Sequence, residues 1–153
     1  MTRRDEIRMS DDEVAAILDE RRTLQVASIN ADGSPHLVPM WFVVIDGAPA
    51  FWTYSKSQKI VNLRRDPRIT VMVEAGDAYE ELRGVSISGR AEIIDDIDEV
   101  LAIGERIYVR YWGPITDDTV RESVRTMGAK RSVVVVRPDE TVSWDHRKLG
   151  GGY

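Results

Sequence analysis

The sequence predicts a mainly β fold of the α+β class, a closed antiparallel barrel of six or seven strands with short helices at its periphery. Apolar, β-rich runs follow one another directly, and two of the breaks between them carry Asp-Gly, a strong hairpin signal. Helical patterns do not alternate regularly with these runs, as a parallel sheet would require. A length of 153 residues suits one core, so a single domain is expected over 1–153, with residues 1–9 and 150–153 flexible.

Taken in order, Ser10-Asp-Asp-Glu13 has the form of a capping box. Val14, Ile17 and Leu18 follow at one-face spacing, which predicts a helix from about residue 11 to 22. Thr23 to Asn30 reads as a strand, Ala31-Asp-Gly-Ser34 as a turn, and Pro35 to Ile45 as one long second strand. Asp46-Gly47 then turns the chain into Ala50-Phe-Trp-Thr-Tyr54, making a three-stranded meander. Ser57 is the expected cap of a short helix carrying Ile60, Val61 and Leu63. That helix ends at Asp66-Pro67, because proline disfavours helical geometry in the residue before it. Arg68 to Ala75 alternates Ile69, Val71 and Val73. Beyond an acidic loop at Gly76 to Glu81, Arg83 to Ile94 reads as a strand with a bulge at Gly89. A helix is predicted from about Ile97 to Tyr111, stopping at Gly113-Pro114, and a second one capped by Thr116. Ser132 to Val136 and Thr141 to Trp144 complete the pattern as a hairpin around Pro138-Asp139.

Composition removes several functions. There is no cysteine, which excludes disulfides, thiolate nucleophiles and Cys-based metal clusters, and makes a reducing compartment the natural reading. The first residues are polar rather than an apolar signal sequence, and no run approaches the ~20 apolar residues that span a bilayer. A cytoplasmic protein without membrane partners is therefore expected. A formal charge of −5 argues against nucleic-acid binding. His36 and His146 are the two histidines and lack acidic neighbours at ligand spacing, so no metal is predicted. No serine lies in a nucleophile elbow, and no phosphate-binding loop or dinucleotide fingerprint is present.

One segment stands out. Thr53-Tyr-Ser-Lys-Ser-Gln-Lys-Ile-Val-Asn-Leu-Arg-Arg-Asp-Pro-Arg68 gathers Lys56, Lys59, Arg64, Arg65 and Arg68 in an acidic chain, with hydroxyls beside them. It passes from a strand into a helix, so first-turn amides, the Ser57 hydroxyl and a lysine ammonium can converge on one phosphate. A solvated basic helix face is the alternative.

Successive blocks across nearly the whole chain, Gly33-Ser-Pro-His-Leu-Val-Pro-Met-Trp-Phe42, Phe51-Trp-Thr-Tyr54, Ser57-Gln-Lys59, Asn62-Leu-Arg-Arg-Asp-Pro-Arg68 and Gly84-Val-Ser-Ile-Ser-Gly-Arg-Ala-Glu92, resemble the pyridoxamine-phosphate-oxidase-like flavin/deazaflavin oxidoreductases. The closing Ser143-Trp-Asp-His-Arg-Lys-Leu149 is similar to an actinobacterial branch that uses coenzyme F420, a 5-deazaflavin. The resemblance implies a split β-barrel and a homodimer with cofactor sites at the subunit interface, one chain holding the phosphate and the other covering the ring. It implies Thr53, Ser57 and Lys59 as phosphate ligands, with Tyr54 and Asn62 in the same blocks. Pro39, Met40, Trp41 and Phe42 would run beside the ring, their main chain meeting its polar edge. Lys56 and Arg64 would serve the cofactor's longer anionic tail, and Trp144 would flank the ring. Gln58 stands where the FMN-using oxidases tend to have arginine, which favours F420 over FMN.

The reading is thus an F420-dependent reductase that passes a hydride to an electron-poor small-molecule acceptor. No essential catalytic side chain is expected. His146, beside Asp145, is the candidate proton donor, against a salt-bridge or dimer-contact role. Two alternatives keep nearly the same residues: an FMN-dependent oxidase or reductase, and a carrier that binds a deazaflavin or haem without turnover.

Overall fold

The computed structural model describes residues 2–21 and 23–150. After a one-turn helix α1 (Arg3–Glu6), α2 (Asp11–Glu20) starts at the capping box: Ser10 Oγ accepts from the Glu13 amide, and the Glu13 carboxylate accepts from the Ser10 amide at 2.7 Å. Both groups would otherwise be orphaned at the helix start. Ile17 and Leu18 are buried and Val14 packs against the same cluster, so the helix lays one face on the core. The stretch before it, read as flexible, is tied down: the Ile7 carbonyl accepts from the Asp145 amide, and the Met9 amide donates to Ser143 Oγ. Residues 151–153 of the expected flexible tail lie outside the described residues.

Among the described residues one antiparallel sheet is built from β1 (Leu24–Ile29), β2 (Pro35–Met40), β3 (Val43–Ile45), β4 (Ala48–Tyr54), β5 (Arg68–Ala75), β6 (Arg83–Ile94) and β7 (Arg131–Asp145), in the order β2-β1-β5-β6-β7-β4-β3. Three predicted elements are reorganised. The long second strand is broken at Trp41-Phe42, and its two parts, β2 and β3, stand at opposite edges of the sheet. Three residue steps reach at most roughly 11 Å, so the edges must approach one another and the sheet must curl into a split half-barrel. The expected meander is therefore two hairpins, β1–β2 and β3–β4. Asp46 and Gly47 take the positive φ values (49° and 80°) that a tight hairpin turn needs.

The predicted closing hairpin is a single strand. β7 runs beside β6 from Arg83↔Asp145 to Ile94↔Val133, with one extra residue at Asp139, because Ser88 faces Glu140 while Gly89 faces Pro138. Pro138 is tolerated here because β4 pairs with β7 only through Val135, leaving an edge beyond it. Gly89 is required at the bulge, since a Cβ there would lie 1.9 Å from the Arg137 carbonyl oxygen.

Helix α3 (Gln58–Arg65) joins β4 to β5, and α4 (Ile97–Trp112) with α5 (Asp118–Gly128) joins β6 to β7. The cap of α5 is Asp117, one residue past the predicted Thr116, and it accepts from the Val120 amide. Strand alternation divides the interior. Phe51, Val134 and Val136 point into the barrel with Val26, Val71, Val85 and Ile60, while Trp52, Val133 and Val135 meet α4 and α5 through Val100, Ile107 and Val124. Gly104 of α4 makes that contact possible, since a Cβ there would come 2.2 Å from the Trp52 ring. No helix among the described residues is long and apolar enough to cross a membrane.

Candidate functional site

Where β4 runs out, the segment from Tyr54 into α3 meets the start of β7, in the register Thr53↔Ser132 and Tyr54↔Arg131. A cavity of about 680 Å³ opens here, lined by Tyr54, Ser55, Lys56, Ser57, Ala129 and Lys130. Ser57 precedes α3 in N-cap geometry, but its hydroxyl makes no capping bond. Ser57 Oγ instead accepts from the buried Thr53 hydroxyl at 3.4 Å, which leaves the Ser57 proton free to be donated to a ligand in the cavity that Ser57 lines. The first-turn amides of α3 thus have no side-chain cap, which is the arrangement that an anion completes.

The predicted basic cluster divides. Arg64 is held bidentate by Asp95 at 2.9 and 3.0 Å, Arg65 donates to the Ile29 carbonyl, and Arg68 pairs with Asp66 and holds that carboxyl down at about 2. Lys56 and Lys59 form no ion pair among the described residues. Lys59 is half-buried, and desolvation, then the positive charge of Arg131, push its ammonium below its ordinary 10.5. A lysine in that state gains from a bound anion.

Two site residues are absorbed by structure. Asn62 is fully buried; its amide donates to Ser28 Oγ and Asn30 Oδ1 and accepts from Gln58 Nε2 at 2.8 Å, which also turns Gln58 along the helix. Phe42 is fully buried too, and its main chain is already taken. Its amide donates to Tyr111 Oη at 3.0 Å, and its carbonyl accepts from Tyr111 Oη and Arg110.

Pro39, Met40 and Trp41 remain at the surface, around a second cavity of about 350 Å³ that Trp52, Trp112, Met127 and Arg131 complete. Trp41 stacks on Tyr111, with centroids 4.4 Å apart and planes 7° apart, and meets the edge of Trp112 at 4.8 Å. Arg131 lies between the two cavities, its guanidinium 4.8 Å from the Trp52 ring centre and 4.6 Å from that of Tyr54.

Sequence reasoning missed Arg131 and Asp95, and placed Ser55 in the phosphate-holding segment without a role of its own. Ser132 Oγ lies 2.6 Å from Asp95 Oδ1 and 2.9 Å from Ser55 Oγ. The carboxylate only accepts and so takes the Ser132 proton; across the other contact Ser55 is the donor. Ser55 therefore offers its lone pairs to the first cavity, suited to a ligand hydroxyl. Burial of Ser132 and the pull of Arg64 both serve this polarity, and hydrogen bonds from Ser132 and Arg64 hold the Asp95 carboxyl below its usual range.

The structure does not bring Trp144 or His146 to these cavities. Trp144 lies 13 residues beyond Arg131 on β7, roughly 40 Å of extended strand, with its indole across Gly84. The expected Asp145–His146 association is absent: Asp145 takes Arg147 bidentate at 2.6 and 2.8 Å, and His146 Nδ1 donates to the Tyr79 carbonyl at 2.8 Å. Adjacent side chains leaving a strand diverge, which separates them.

A family model described as pyridoxamine 5'-phosphate oxidase matches residues 10–145. The chain is similar to the conserved hypothetical protein Rv2991 of Mycobacterium tuberculosis, whose crystal structure superposes with a TM-score of 0.93 at 44% identity, covering 100% of this chain and 95% of that one. It is 34% identical over 109 residues to the F420H(2)-dependent biliverdin reductase of M. tuberculosis (strain CDC 1551 / Oshkosh), spanning 70% of this chain and 75% of the relative. A solved structure named F420 reductase is similar at 26% identity and a TM-score of 0.64, over 82% of this chain and 93% of that one.

Proposed function

Because this chain belongs to the pyridoxamine 5'-phosphate oxidase family, with a split-barrel fold, we propose that it is a cytoplasmic, homodimeric F420-dependent reductase of a small, electron-poor organic acceptor. The observation that carries this reading is the uncapped start of α3 with Ser57 and the half-buried, anion-seeking Lys59 beside it. It supplies what a cofactor phosphate needs: amide donors, a hydroxyl donor and a positive charge with no ion pair among the described residues. The two relatives named for F420 favour the deazaflavin over FMN, as does Gln58. A reduced deazaflavin held by these residues would supply the hydride that the acceptor takes up.

The chain's own residues then bind and orient. Lys59, Ser57 and the α3 amides would hold the phosphate, Lys56 would reach the tail from the cavity rim, and Ser55 would accept from a sugar-chain hydroxyl. The main chain of the Pro39–Trp41 stretch, stiffened by the Tyr111 stack, would meet the polar edge of the ring. Trp144 and His146 would reach a ring only from the second copy of the chain, across the interface. β2 fits such an interface: it is an edge strand, with Leu37 66% exposed and Pro39 and Trp41 exposed on the same side. His146 is a proton donor from Nε2 only when it carries both protons, because Nδ1 already donates to Tyr79.

Turnover tests this directly. The purified protein should oxidise reduced F420 with at least one member of a panel of unsaturated lactones, quinones and tetrapyrroles, biliverdin among them. Oxidation with none of them sinks the reductase reading.

A further inference from the structure

We propose that the aromatic cavity beside β2 is the acceptor subsite, and that Arg131 selects acceptors in which a carboxylate extends from a flat conjugated system. The inference rests on the reductase reading for what the ligand is used for, but not for what the cavity binds.

Its walls are Met40, Trp41, Trp52, Trp112 and Met127, all flat or polarisable. Trp41 is fixed in place by the Tyr111 stack, so the slot is formed before a ligand arrives. A volume of about 350 Å³ is enough for one conjugated ring and its arm.

Arg131 gives the cavity its polarity. Its guanidinium touches the faces of Trp52 and Tyr54, yet its Nε is buried with no hydrogen-bond partner, and it forms no ion pair among the described residues. Rings hold the cation in place but accept none of its N–H bonds in the plane of the guanidinium. The nearby charge is another cation, Lys59. A guanidinium near a second positive charge, with no ion pair among the described residues, is stabilised by an anion in the cavity it lines, and a carboxylate takes two parallel bonds from its terminal Nη atoms. On the ligand, that carboxylate must sit at one end of a flat body lying against the edge-to-face pair of Trp41 and Trp112.

The carboxylate has two sources, the acceptor or the anionic tail of the cofactor, and the test separates them. The probes are trans-cinnamate and its uncharged methyl ester, titrated by calorimetry into the cofactor-free full-length protein. F420 is titrated in parallel. Cinnamate should bind about tenfold or more tighter than the ester. Arg131→Met, which keeps the apolar stem between the rings, should abolish that preference while leaving F420 affinity within about twofold. Arg131→Lys, which keeps the charge without the fork, should retain part of it. Equal binding of acid and ester, or binding of neither, overturns the proposal. It is overturned also if Arg131→Met weakens F420 and the preference for the acid persists, which assigns Arg131 to the cofactor. Failure of wild-type protein to bind F420 would contradict the reductase reading alone, and the comparison of acid with ester would still decide the subsite.

Discussion

Lys59 is the side chain whose environment most needs a ligand. If it holds the cofactor phosphate, Lys59→Ala removes a charged hydrogen bond and should weaken F420 binding by about 1.5–3 kcal/mol, read by fluorescence titration. Because burial and Arg131 lower its proton affinity, the anion should be released on raising pH sooner than an ordinary lysine at 10.5 would allow. The sign follows from linkage: the anion prefers the ammonium, so affinity is full below the lowered pKa and falls as pH rises through it. A flat pH profile up to 10.5 would contradict the assignment. Ser57 and Lys59 were legible in the sequence because they lie within one short basic segment, and the family resemblance implied them, with Thr53, as phosphate ligands. Arg131, Asp95 and Ser132 were not, because they reach the site only through the β4–β7 register, with Tyr54 facing Arg131 across 77 residues of chain, and through the turn before α4. Asn62 and Arg64 were read as ligands for the converse reason: a basic or amide side chain on a short helix looks available until distant partners such as Ser28 and Asp95 are placed beside it.

At the scale of elements, local signals served well wherever the pattern was self-contained. The capping box of α2, the limits of β5 and β6, the Gly89 bulge and the Asp46-Gly47 turn all follow from neighbouring residues. The break between β2 and β3 does not, because Pro35 to Ile45 reads as one uninterrupted apolar strand. What breaks it lies on α4: Arg110 and Tyr111 capture the main chain of Phe42. Arg110 also donates to the Leu18, Asp19 and Arg21 carbonyls at the end of α2, and its guanidinium lies 4.5 Å over the Phe42 ring. One cation thus ties the seam of the barrel to the C-terminal end of a helix, where positive charge is favoured. Arg110→Ala should leave several of these carbonyls unmet and destabilise the fold by about 2–4 kcal/mol, as measured by urea unfolding. A loss below about 0.5 kcal/mol would show that the seam is held by other contacts. The single strand β7 was hidden by Pro138-Asp139, a turn signal that the long partner β6 overrides by pairing through it.

At the scale of the molecule, the strand class was legible from the sequence of runs, whereas the strand order was not, since β5, β6 and β7 pair between hairpins that the chain makes earlier. Several ion pairs tie distant parts together, among them Glu13–Lys148, Glu20–Arg83 and Arg64–Asp95. Hydrogen bonds from Lys148, Arg83 and Ser132 hold the Glu13, Glu20 and Asp95 carboxyls below their usual 3.8 to 4.5. Groups lowered on folding stabilise the native state above the unfolded-state values and lose that contribution as pH falls through the folded ones. The melting temperature should therefore be level down to about pH 5 and decline below about pH 4; a rise on acidification would contradict this. In solution the 17.3 kDa chain should scatter light as a dimer. If each site takes Lys59 from one copy and Trp144 from the other, Lys59→Ala and Trp144→Ala proteins, assayed at F420 too dilute to load either variant, should on being unfolded and refolded together recover about a quarter of wild-type turnover. Recovery of none would place each site within one chain. The most direct test of the account is a parallel equilibrium titration of the purified protein with F420 and FMN, followed by fluorescence. The account predicts tight binding of F420, weak binding of FMN, and loss of the F420 affinity in Lys59→Ala; tighter binding of FMN, or binding of neither, would contradict it.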